Sequence, residues 1–312
     1  MNHFVDFLRA NGLMPRDIVA DGKWRRCPTE THPKKRNGAY KLADSGTIGW
    51  CQDHAVHPEP LTWKADKEFV APKIDQSVIT RRRSEERREL IRATHAAREF
   101  FLNCKPLRAG HSYLEDHGLD MTGCSGLRMD DQGWLVVPAM MDRNLMSVQR
   151  ISPVGEKRFW PGASVKGSSY TIDRPGATVS VLCEGLATGL AIFAAAHLTR
   201  IIVAFDAGNL SRAHFPSRGM AVVAADNDLG TAARIGINPG IKAAQEAANA
   251  IGCGVAIPEG ILGTDWCDYR QEKLAARMEN RGRQSDIALR RAVDAEIAAA
   301  IMRNATFLRR AA

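Results

Sequence analysis

From residue 178 onward the chain alternates between two hydrophobic periods. Four short, nearly unbroken apolar runs, residues 178–183, 200–205, 220–225 and 254–257, have the length and Val/Ile content of buried strands. Between them lie Ala- and Leu-rich stretches, residues 186–197 and 239–251, that read as helices. Strands alternating with helices predict a mainly parallel sheet of the α/β class. Each run closes on acid: Glu184 after the first, Asp206 after the second, Asp226 and Asp228 after the third, Asp265 and Asp268 in the loop beyond the fourth. In such sheets ligand chemistry collects at the carboxyl ends of the strands. Residues 186–205 are apolar enough to suggest a membrane span, but His197, Thr199 and Arg200 interrupt them where the period changes. They are expected to form a buried helix followed by a buried strand.

The rest of the chain carries weaker periods. Residues 3–12 predict a short helix, and the Asn-Gly and Ser-Gly punctuation that follows predicts a small antiparallel sheet. Residues 64–80 mix Pro, Lys and Asp as in a linker. A charged helix over residues 81–103 is expected next, capped by Ser84 and supported by i,i+4 pairs from Glu85 and Glu89. Residues 134–141 and 145–151 predict a hairpin around Asp142. Beyond Asp268, apolar Leu274, Met278, Ile287, Leu289, Val293, Ile297 and Ile301 recur at helical spacing and predict one long or two short helices up to Leu308. The expected division is an N-terminal domain over 1–66, a charged linker and helix over 67–106, a small mixed unit over 107–175, the α/β domain over 176–270 and a helical C-terminal region over 271–312.

Charge sharpens this division. The formal charge of +8 over 312 residues points to an acidic partner. It is unevenly spread: residues 64–110 hold 12 Lys and Arg against 7 Asp and Glu, and residues 270–312 hold 10 against 5, whereas residues 176–269 hold 5 against 8. Basic arms therefore flank an acidic centre. Seven cysteines, an odd number, without a secretory leader imply free thiols in a reducing, cytoplasmic setting. No Gly-x₄-Gly-Lys-Ser/Thr phosphate loop occurs.

The acids suggest a chemistry. Glu184, Asp226 and Asp228 on one sheet edge would repel one another unless a cation lay between them, and oxygen ligands favour Mg²⁺ or Mn²⁺. Asp-x-Asp after a strand is also a common helix cap. Near the N-terminus, Cys27, His32, Cys51 and His54 form two clusters of zinc-ligating residue types. Around them Arg25, Arg26, Lys34, Lys35 and Arg36 accompany Trp24, Tyr40 and Trp50. Cations beside rings suit single-stranded DNA; the aromatics could equally form the core of a small domain, the better reading for Trp50.

Taken together, Cys183-Glu184-Gly185, Asp226-Asn227-Asp228-Leu229-Gly230 and Asp265-x-x-Asp268 resemble a Toprim domain, the module shared by DnaG-type primases, some topoisomerases and a set of nucleases. The likeness extends upstream through Tyr113-Leu114, Leu135 to Arg150, Lys157-Arg158 and Lys166, in the order of the basic subdomain of plasmid and phage primases. His117 stands where many primases have Arg. The resemblance implies a Rossmann-like Toprim core behind a zinc-ribbon-like domain, and a DNA primase that joins ribonucleotides on single-stranded DNA in plasmid or phage replication. It implies Glu184 as general base or metal ligand, Asp226 and Asp228 as metal ligands, Asp265 and Asp268 completing the shell, and Arg150, Lys157, Arg158 and Lys166 on template or nucleotide phosphates. It implies ribonucleoside triphosphates as substrates and a replicative helicase as a further partner. A Toprim nuclease and a catalytically silent replication adaptor share these features and stay open.

Overall fold

In a computed structural model, described over residues 3–57, 59–65, 76–216 and 219–308, the chain forms two compact units. One comprises Met1–Glu86 with Gly230–Ile237, the other Arg87–Leu229 with Asn238–Ala312. Residues 66–75 of the expected linker lie outside the described residues.

In the first unit, helix α1 (His3–Ala10) precedes four antiparallel strands in sequential order, β1 (Arg25–Cys27), β2 (Gly38–Leu42), β3 (Ile48–Asp53) and β4 (Leu61–Lys64). Phe4 and Leu8, one helical turn apart, bring one face of α1 onto Cys27, Tyr40, Leu42 and Cys51. The helix lies so close that a Cβ on Gly49 would stand 2.3 Å from the Phe4 ring. Cys27 and Cys51 are inward-facing core residues, their thiols pushed up to about 11 by burial. His32 turns its Nδ1 to Thr31 Oγ1 at 3.0 Å. No group of three or more potential metal ligands occurs among the described residues, so the expected zinc set of Cys27, His32, Cys51 and His54 is not assembled. The two cysteines supply small apolar volume between the larger side chains of this core. Among the aromatics, Tyr40 is buried and Trp50 is half-buried, with Lys41 Nζ 4.9 Å from its ring.

Helix α2 (Gln76–Asn103) starts eight residues before Ser84, which lies in its interior rather than at its cap. A small antiparallel sheet follows, formed in order by β5 (Lys105–Pro106), β6 (Arg128–Met129), β7 (Leu135–Met141), β8 (Asn144–Ile151) and β9 (Lys157–Phe159), with α3 (Ser112–Asp116) between the first two. The β7–β8 hairpin turns on Asp142 and Arg143, both at positive φ. Strand β10 (Tyr170–Ile172) belongs to the next sheet, antiparallel to one of its strands, although the expected boundary at 175 put it with the preceding unit.

That next sheet contains β11 (Val179–Cys183), β12 (Thr199–Val203), β13 (Gly219–Ala224) and β14 (Gly254–Ala256), mutually parallel in the order 12-11-13-14. Helix α4 (Leu186–Ala195) links the first two strands, α5 (Ala207–Leu210) follows β12, and α6 (Leu229–Ile235) and α7 (Pro239–Ile251) lie between β13 and β14. Side-chain alternation feeds two cores. Val179, Val181 and Cys183 pack with α4 and with two later helices, α8 (Trp266–Glu279) and α9 (Asp286–Asn304), while Leu182 packs with Ala244, Ala247 and Ala248 of α7. Of the apolar stripe, Leu289, Val293, Ile297 and Ile301 are buried, and the last three join the core of their own domain. The chain then returns as a strand, β15 (Thr306–Leu308), antiparallel to β13, where a helical end was expected. No described helix is long and apolar enough to cross a membrane.

At Gly254 a Cβ would lie 2.2 Å from the carbonyl oxygen of Asn304, where α9 gives way to β15. Gly254→Ala is therefore expected to destabilise by roughly 1–3 kcal/mol through overpacking. Gly230→Ala, with nothing within 4 Å of the new methyl, should gain a few tenths of a kcal/mol or more from helix propensity. Urea midpoints check both; equal midpoints for the two variants would contradict the packing at β15.

Candidate active site

The parallel register sets Cys183 level with Val203 and with Ala224, and Ala224 level with Ala256. The residues that follow therefore leave the sheet along one edge, which brings Glu184, Asp206, Asp226 and Asp228 into one electrostatic neighbourhood. Burial, then Asp206 and Asp228, raise the pKa of Glu184. Asp226 is pushed up to about 8, first by burial and then by Glu184, Asp265 and Asp228. Its Oδ1 is buried without a hydrogen-bond partner. Lys157 opposes the rise at both carboxyls.

Several residues hold this edge open, and the sequence reading passed over most of them. The side chain of Asn238 accepts from the backbone N–H of Asp228 at 3.2 Å and of Ile241 at 3.1 Å, and donates to Asn227 Oδ1 at 2.9 Å. It thus caps α7 and fixes the Asp226–Asp228 loop at once. Asn238-Pro239 ahead of a helical run is a recognisable N-cap signal. Gly240 is required because a Cβ there would come within 2.4 Å of the Asp226 carbonyl oxygen. Phe205 adopts φ 74°, outside the range ordinary for its residue type. This conformation ends the second run two residues early and turns its N–H to the Glu184 carbonyl at 2.9 Å.

Asp265 and Asp268 form a reciprocal capping box at the start of α8. Asp265 Oδ1 accepts from the N–H of Cys267 and Asp268, and its Oδ2 accepts from Thr188 Oγ1 at 2.9 Å. Asp268 accepts from Thr264 N–H at 2.7 Å. Capping therefore occupies both acids; Asp265 still lies near enough to raise the pKa of Asp226.

Strand parity separates the basic candidates. On β8, Val148 and Arg150 share the face that packs with Val136, while Ile151 faces the larger core. On β9, Lys157 pairs with Ile151 and Arg158 with Arg150, so Lys157 and Phe159 point one way and Arg158 the other. Phe159 meets Phe205 edge-on at 6.1 Å, beside the acids. Arg150 is instead bound to Asp130 at 2.5 Å and to Gln132 at 2.9 Å. Lys166 sits on a loop that Asn209 secures: its amide donates to the carbonyls of Val165 and Ser168, and its Oδ1 accepts from Gly167 N–H. In the N-terminal unit, Arg25 and Arg26 line a cavity of about 540 Å³ with Arg16, Lys34, Lys35 and Tyr40. Asp21 partly neutralises Arg25.

As the side chains stand, the acids do not form a ready metal cage among the described residues. Their chemistry nevertheless fits a hard cation: the donors are all carboxylate, and Asp226 has a buried oxygen with no partner and a proton that only neighbouring negative charge and burial hold in place.

Residues 179–276 match the family model of the Toprim domain. Most of the chain is similar to proteins named DNA primase: it is 27% identical over 263 residues to a DNA primase TraC of Escherichia coli, and 24% identical over 284 residues to a second TraC from the same organism. These alignments cover 77% and 82% of the chain but only 24% and 19% of the relatives, so the chain spans about a quarter of their length or less. Among solved structures, the primase fragment of the bacteriophage T7 primase-helicase superposes on 57% of this chain and 78% of its own at 14% identity and a TM-score of 0.39. A likeness that low establishes neither topology nor activity.

The raised Asp226 carboxyl has a consequence for stability. In the unfolded chain it ionises near 3.8, whereas in the fold it keeps its proton up to about 8. Between those values the unfolded state binds fewer protons, so metal-free stability falls as pH rises through this window. With chelator present, wild type should lose on the order of a few kcal/mol more than Asp226→Asn between pH 5 and pH 8.5. Mg²⁺ at the higher pH should raise the melting temperature of wild type more than that of the variant. Parallel pH profiles and equal responses to Mg²⁺ would show that Asp226 does not carry the charge strain.

Proposed function

We propose that the chain is a primase-type nucleotidyltransferase that makes short RNA primers on single-stranded DNA for a plasmid or phage replicon. The observation that carries this reading is the unpartnered, charge-strained Asp226 among Glu184, Asp228 and Asp265, with the positive charge of Lys157 opposing that strain. The homology to the TraC primases supports it. Glu184, Asp226 and Asp228 would hold Mg²⁺ or Mn²⁺, which when bound neutralises triphosphate charge and eases loss of the primer hydroxyl proton. Lys157 binds the incoming ribonucleoside triphosphate through its phosphates and offsets charge developing at the reacting phosphorus. Asp265 acts by position: it holds the start of α8 and keeps Asp226 protonated until a cation arrives. Arg25 and Arg26 bind template phosphates in the N-terminal unit.

Sheet parity makes the test specific. Lys157→Ala should lower primer synthesis on the order of a hundredfold, as expected for losing a charge-assisted contact to a reacting phosphate. Arg158→Ala, on the opposite face, should change the rate only a few-fold at saturating template. Labelled ribonucleotides on single-stranded DNA with Mg²⁺ measure both. A wild type that incorporates no ribonucleotide but degrades the strand in Mn²⁺ would replace the primase with a Toprim nuclease.

A further inference from the structure

The outer face of the β5–β9 sheet, turned away from the acids, carries a row of planar groups that the proposed chemistry does not use. The Arg158 guanidinium lies 5.4 Å from the Trp134 ring, Arg150 stands 4.7 Å from the same ring and 5.5 Å from Phe100, and Phe100 packs 4.6 Å from Trp160 at an interplanar angle of 36°. Cation and ring alternate along this row until its last two aromatic members meet. At that end, Phe100, Trp160 and Arg150 open onto a cavity of about 300 Å³ rimmed by Asn103, Cys104 and Gln132. Ligand sites occupy roughly 300–1,000 Å³. Asp130, which also lines the cavity, is taken up by Arg150, and Asp131 pairs with Lys105 at 3.6 Å. The pairing of Arg158 with Glu156 is exposed on both sides. Such a pair contributes little and can be exchanged for a phosphate.

We propose that this row is a stacking platform for single-stranded DNA: one base enters the cavity against Trp160 and Phe100 and extends the row, while Arg158 meets the adjoining phosphate. Flat walls of ring and guanidinium suit a base better than an aliphatic side chain. Amides at the rim can meet its edge, and stacking on a ring accepts any base. The platform would hold template at a distance from the reacting centre, on the face that Arg150 and Arg158 share and Lys157 does not. The inference rests on single-stranded DNA being the template in the reading above.

Base stacking and phosphate attraction separate when oligo(dT) is compared with an abasic strand of equal length, because only the former has bases to stack. Using the full chain and fluorescence anisotropy, wild type should prefer oligo(dT). Trp160→Leu should reduce that preference about tenfold with the salt slope unchanged, and Trp160→Phe should largely restore it. If wild type fails to bind oligo(dT), the template reading falls and the platform with it. If it binds with a preference that Trp160→Leu leaves intact, the template reading stands and the platform is overturned. Trp160 also packs on Phe100, so the wild type supplies a second measurement. Photo-crosslinking to a strand carrying 5-bromodeoxyuridine should label peptides containing Trp160 or Trp134, and crosslinks confined to other segments would overturn the proposal.

Discussion

Repulsion among carboxylates at one edge of a parallel sheet is the constraint on which the second unit depends. Asp226 follows a strand buried between two layers of helices, and its neighbours Glu184, Asp228 and Asp265 bear the same charge. Nothing in the local sequence would keep these groups together, because ionised carboxylates at close range push apart unless geometry or a cation opposes them. Here the opposition is structural. Asn238 ties the loop to the start of α7, Gly240 lets the helix approach the Asp226 carbonyl, and the Asp265–Asp268 box anchors the neighbouring loop on α8. The strain remains in the protonated state of Asp226, which makes the edge receptive to positive charge.

Alternation along β8 and β9 distributes the basic residues. Neighbouring side chains on a strand point to opposite faces, so Lys157 joins the acids while Arg158 joins Trp134 and Arg150. Two adjacent cations in the sequence are thereby placed in different chemistry. Arg150 shows why a charge in a chain is not automatically a charge in a site: Asp130 and Gln132 satisfy its guanidinium, and the rings of Trp134 and Phe100 cover its faces. A residue so occupied can orient other groups, but it has little charge free for a triphosphate.

The N-terminal unit follows a different economy of materials. The antiparallel strands turn Cys27 and Cys51 inward among Phe4, Leu8, Leu13, Tyr40 and Leu42, where a thiol serves as a small apolar filler. Burial raises both thiols to about 11.

The acidic centre was legible in the sequence because its information is local. Each apolar run announces a strand by its length, and the carboxylate after it is placed at the strand's end by chain continuity alone. Runs 178–183 and 220–225 therefore predicted the positions of Glu184, Asp226 and Asp228 before any partner strand was known, and the Ala-rich stretch 239–251 predicted α7. What the sequence could not contain was the set of contacts made across long separations. Strands β10 and β15 are three residues each, too short for a period to declare which sheet they join; pairing with β12 and β13 decided it. The neutralisation of Arg150 by Asp130, the capture of the Lys166 loop by Asn209 and the electrostatic influence of Lys157 on Glu184 each join residues 20 or more positions apart. Such contacts depend on register and on which face a strand presents, and a shift of one residue would reverse them all. Local periodicity thus determined where the acids stand, and only tertiary packing decided which cations face them.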